Sequence, residues 1–135
     1  MKIKKYLRFY YSAGGLENRL DDFILRYALK SGEGVNNCEA CFDKIQKLIL
    51  DKATLAGLWA RIDEVLKKMT VRDKQSLKRY AGIRGVKRLP EEDQRELHRA
   101  VMKFTRRSGG LINATVSQYK TLCAYYCLLG RLDDD

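Results

Sequence analysis

The chain has 135 residues, 45% of them hydrophobic and 33% charged, with 27 Lys and Arg against 17 Asp and Glu for a net charge of +10. That composition excludes a disordered tail and leaves room for one domain or two tightly packed halves. No run reaches the ~18 consecutive apolar residues of a membrane span. The basic start Met1-Lys2-Ile3-Lys4-Lys5 is interrupted by Arg8 and tyrosines before any signal-peptide core forms, so a cytoplasmic protein with reduced cysteines is expected.

A single proline, with Leu, Lys, Arg, Glu and Ala throughout, predicts an all-α fold of five or six helices. Residues 2–12 read as a first helix, with Ile3, Leu7 and Tyr10 or Tyr11 on one face. Ser12-Ala13-Gly14-Gly15 predicts a break, because each glycine costs a helix about 1 kcal/mol relative to Ala. Leu16, Leu20, Phe23, Ile24, Tyr27 and Ala28 then mark an amphipathic helix over 16–30. Asn36 and Glu39 have the spacing of a capping box. From there the positions Cys38, Cys41, Ile45, Leu48, Lys52, Leu55, Trp59, Ile62, Leu66 and Met69 alternate steps of three and four, with Lys52 as the one polar interruption. This spacing predicts a long central helix with a coiled-coil-like seam, whose partner is residues 16–30 or a second copy of the chain.

Thr70 caps the next helix, with Asp73 as its first-turn acid and Leu77, Tyr80 and Ala81 as its apolar face. A basic loop follows, from Gly82 to Arg88. Pro90 with Glu91, Glu92 and Asp93 opens another helix, buried through Leu97, Val101 and Phe104. Arg106-Arg107-Ser108-Gly109-Gly110 closes it. A last helix is expected over 114–129, with Val116, Tyr119, Cys123 and Tyr126 inward, before an acidic tail at Asp133–Asp135.

The charge is unevenly spread. Residues 70–110 hold twelve Lys or Arg against five acids, which is +7 of the total. Arg84, Lys87, Arg88, Arg106 and Arg107 fall on two loops flanking one helix, natural positions for phosphate contacts that set register without reading sequence. Immediately after them comes Gly110-Leu111-Ile112-Asn113-Ala114-Thr115-Val116-Ser117. A turn glycine, an aliphatic plug and a helix opening in small polar residues make up a helix-turn-helix junction. Asn113, Thr115, Ser117, Gln118 and Lys120 would then face bases or phosphates, with Val116 packed inward.

At these residues the sequence resembles bacterial helix-turn-helix regulators, whose motif reads glycine, aliphatic, polar, two variable residues, then Thr-Val-Ser. Leu66-Lys67-Lys68-Met69-Thr70-Val71-Arg72-Asp73, continuing to Arg79-Tyr80, resembles sigma-factor region 4 and related phage late-transcription activators. The resemblance implies a transcription regulator of bacterial or phage type that places residues 113–120 in the major groove. Two positions depart from the pattern: Arg106 stands where a small residue usually lets the helices cross, and Ile112 where a Ser or Thr cap is usual. Two packed helices joined by a glycine-rich turn fit the same segment.

Cys38, Cys41, Cys123 and Cys127 form a C-x-x-C and a C-x-x-x-C pair with the donor chemistry of a zinc site. The seam positions of Cys38, Cys41 and Cys123 favour core packing instead. Gly82-Ile83-Arg84-Gly85 matches a nucleotide-clamping G-x-x-G loop, but no strand accompanies it. His98 has no nucleophile at a recognisable spacing, and no phosphate-cradling loop is present, so neither an enzyme nor a cofactor is expected. The sequence thus divides into an N-terminal helical region, 1–69, and a basic helix-turn-helix-like region, 70–135. Duplex DNA is the expected partner, with a homodimer through the 38–69 helix. The alternative is a helical interaction or assembly protein with no nucleic-acid role, its partner docked on the seam and its eight tyrosines suited to an interface.

Overall fold

The computed structural model describes residues 2–33, 38–83, 86–111 and 115–133. They form five α-helices: α1 (Lys2–Glu33), α2 (Cys38–Lys67), α3 (Val71–Gly82), α4 (Glu91–Arg107) and α5 (Val116–Asp133), with a short 3-10 turn at Val86–Arg88. The fold is all-α, and no strand occurs among the described residues. Among the described residues no helix is long and apolar enough to cross a membrane.

The break expected at Gly14-Gly15 is absent, and α1 runs unbroken for 32 residues. Phe9, Leu16 and Leu20 on either side of the glycines are each at least 98% buried. Burying three large side chains is worth several kcal/mol, which outweighs the propensity cost of two glycines. Tertiary packing therefore decides the matter.

The partner of the long seam is α1. Trp59 Nε1 donates to the Tyr10 carbonyl at 3.2 Å and the Tyr10 hydroxyl donates to Asp63 at 2.6 Å. Further along, Lys52 meets Asp21 at 2.7 Å, and Lys44 lies over the Tyr27 ring. Rising numbers on one helix meet falling numbers on the other, so α1 and α2 are antiparallel. Cys41, Leu48, Leu55, Ile62, Leu66 and Met69 are buried along this seam. Lys52, the polar interruption, reaches out to Glu17 and Asp21 across α1. Because the chain fills this seam itself, the inward face of the 38–69 helix is not open to a second copy.

α3 lies against α1 near one end of the hairpin and forms an antiparallel pair with α4, which touches α2, while α5 packs along α1 and α2 rather than on α4. Leu77 and Ala81 of α3, Ala100 and Phe104 of α4, Leu111, and Leu122 and Leu129 of α5 join the α1 and α2 residues in a single hydrophobic cluster. The division at 69/70 marks a turn of the chain, not a gap in the core. The expected compact unit of the last three helices is accordingly not formed as such.

Candidate nucleic-acid interface

The basic block of residues 70–110 divides into two groups with different roles. The first group holds α3 to α4. Thr70 caps α3, its hydroxyl accepting from the Asp73 amide at 3.2 Å, and the Asp73 side chain is buried. Lys103 and Arg99 reach that carboxylate at 2.8 and 3.3 Å. Arg72 and Arg99 share Glu96, and Arg79 meets Asp93. The hydrogen bond from Lys103 outweighs desolvation, so the Asp73 carboxyl titrates below its ordinary range. Glu96 is lowered likewise, chiefly by its hydrogen bond from Arg99. These cations are structural. Sequence spacing marks their charge but not their partners.

The second group is exposed. Lys78, Lys87, Arg88, Arg106 and Arg107 lie on the surface, and among the described residues no acid is in ion-pair range of any of them. Lys87 and Arg88 precede α4 while Arg106 and Arg107 end it, so the two pairs stand about 24 Å apart along the helix. Arg84 and Asn113 lie outside the described residues, as does Asn36 of the expected capping box.

The helix-turn-helix register requires correction. Thr115, expected to face bases, is fully buried. Its hydroxyl donates to the Leu111 carbonyl at 2.6 Å and so accepts from the Tyr6 hydroxyl at 2.8 Å. Val116, expected inward, is 46% exposed. The start of α5 is thus rotated relative to a recognition helix, and its floor is α1, not α4. Gln118 is half-buried, crossing α2 where a Cβ on Gly57 would come within 3.1 Å of its amide nitrogen. Ser117 and Lys120 do reach solvent, on a face shared with Val116, Cys123, Ala124 and Cys127. Cys123 therefore does not belong to the inward stripe. Among the described residues no group of three or more His, Cys, Asp or Glu is placed to hold a metal.

Sequence reasoning missed a cationic and aromatic cluster where α5 crosses α1. Lys5 lies over the rings of Tyr119 and Tyr126, at 5.9 and 5.1 Å, and Arg8 lies 6.0 Å from Tyr126. The basic N-terminal run was the available signal.

The structure also sorts charge by position. Residues 13–59, most of the α1–α2 hairpin, hold six Lys or Arg against seven acids. The whole positive excess therefore sits with the first turns of α1, the close of α2, and α3 and α4. No family model matches this chain, and neither a curated protein nor a solved structure is significantly similar to it.

Proposed function

We propose that the protein is a cytoplasmic duplex-DNA-binding protein that grips the phosphate backbone with its basic end. The partition of charge carries this reading, since an excess of that size on one side of a small body attracts a polyanion and draws affinity from counterion release. Arg106 and Arg107 at the close of α4 are the principal phosphate contacts, with Lys87 and Arg88 at its opening and Ser117 and Lys120 on α5 as further ones. Lys5 and Arg8, held against tyrosine rings, add a second cationic surface of the kind nucleic acids favour. A buried Thr115 removes one base reader, so backbone contacts dominate, and a regulatory role of bacterial or phage type rests on placement and not on sequence readout.

Fluorescence anisotropy with a short duplex tests this directly. Binding is expected to weaken steeply with salt, each phosphate contact adding about −0.9 to the log–log slope. The double substitution Arg106→Glu with Arg107→Glu is expected to weaken binding at least about tenfold and flatten that slope by about two. A chain that ignores duplex DNA at low salt overturns the reading. Preference for single-stranded RNA over duplex would redirect it.

A second reading, a protein-interaction module, draws on other residues. Leu25, Leu29, Phe42, Ile49 and Leu50 each expose more than half of their surface on the hairpin away from the basic end.

A further inference from the structure

We propose that α2 carries a second, outward seam through which two copies of the chain pair antiparallel. The inward seam of α2 is filled by α1. About a third of a turn away run Phe42, Gln46, Ile49, Ala53, Ala56 and Ala60, again alternating steps of four and three, the spacing of a helix-pairing stripe. All six are exposed, Phe42 by 56% and Ile49 by 51%.

The order of sizes along this stripe selects its occupant. The bulky residues lie in its first half and the alanines in its second. A two-fold axis near Asp51 sets Phe42 of each copy against Ala60 of the other, and Ile49 against Ala53, so large side chains meet small ones throughout. A parallel pair would place Phe42 on Phe42 and leave the alanines facing a gap. The two-fold arrangement is self-complementary, as an isologous contact requires, and alanines let the helix axes approach to the close end of the usual 8–10 Å.

Two further observations agree. In this register Arg61 falls between Glu39 and Asp43 of the other copy, giving two symmetric sets of opposite charges. Asp63, directly opposite Glu39, and Glu64 beside it are the like-charged approaches; Asp63 is already answered by Lys67 and Tyr10 of its own chain, and salt screens charges at the ends of the contact. In addition, a groove of about 390 Å³ between α1 and α2, lined in part by Ala13, Gly14 and Trp59, includes Ala56 of the stripe in its wall. The Phe42 ring of the second copy arrives beside that wall.

The paired length, 42 to 60, is about 27 Å of helix. That is a small contact, below the ~800 Å² per partner of standard interfaces, so a concentration-dependent dimer follows, not an obligate one. The stripe holds none of the residues assigned to phosphate contact, and the inference stands apart from the nucleic-acid reading.

Sedimentation velocity over a wide concentration range tests it. The wild-type chain is expected to move from one chain mass toward two. Ala53→Glu, on an exposed face, is expected to keep the melting temperature and helical circular dichroism while weakening association at least about tenfold through paired carboxylates at the axis. Arg61→Asp is expected to weaken it severalfold, and adding Asp43→Arg to restore it, because the charges exchange sides. A single chain mass up to the highest soluble concentration overturns the proposal and leaves the stripe to a different kind of partner. A dimer indifferent to Ala53→Glu also overturns it, placing the contact elsewhere.

Discussion

Asp73 shows how one side chain can hold two helices to each other. It is the first-turn acid of α3, it is buried, and its charge is answered by two cations from α4. Removing one member of a fully buried pair costs about 3–5 kcal/mol. Arg99 and Lys103 keep 48% and 36% of their side-chain surface in water, so Asp73→Asn is expected to cost about 2 kcal/mol, read as a lower urea midpoint. Asp73, Asp63 and Glu96 all titrate below the ordinary carboxylate range, each through hydrogen-bonded partners. As the pH falls the unfolded chain takes up these protons first. Stability is therefore full above the ordinary carboxylate pKa and declines below about pH 4. At the alkaline end Tyr10 and Tyr125 are raised, first by burial and then by their carboxylate partners Asp63 and Asp51. The unfolded chain ionises its tyrosines first, so stability is expected to fall as the pH climbs past about 10, followed by circular dichroism and tyrosinate absorbance. Thr115 is a second pivotal residue. Thr115→Val keeps its shape but leaves the Tyr6 hydroxyl without its acceptor, for a cost of about 1–3 kcal/mol in thermal or urea unfolding.

The helices differ in how plainly their residues announce them. α2 was legible to its phase, because ten positions repeat at one spacing and the single exception, Lys52, has the length to reach acids on α1. The start of α3 was equally plain: a Thr cap three residues before an Asp leaves few alternatives. α1 misled, since paired glycines lower local propensity while the decisive term, contact with α2, lies thirty or more residues away. Gly14 faces open space, and a Cβ there meets no atom within 4 Å. Gly14→Ala is thus expected to stabilise the protein by about 0.5–1 kcal/mol and raise its melting temperature. In α5 the helix itself was readable but its rotation was not. Val, Leu, Cys, Ala and Tyr occur on every side of it, so apolar contrast gives little phase. What orients it is a buried threonine paired with a tyrosine more than a hundred residues earlier, which no local pattern displays. The candidate interface suffered from the same blindness. Charge density located it, but whether Arg99 serves an acid on its own chain or Arg106 serves solvent depends on long-range neighbours.

At the scale of the whole molecule, most of the α1–α2 hairpin, with α5 along its side, is a nearly neutral arm, and the end that carries α3 and α4 is a strongly cationic base. A body with its charge gathered at one end turns in a polyanion's field before it touches, and lands base first. The span of α1 from Ala13 to Glu33 is about 30 Å, so the far tip of the arm is then held well clear of the surface, like a mast. A dye attached near Tyr27 would report that height by energy transfer to a labelled polymer. A chain of even polarity would instead lie flat and give no preferred distance.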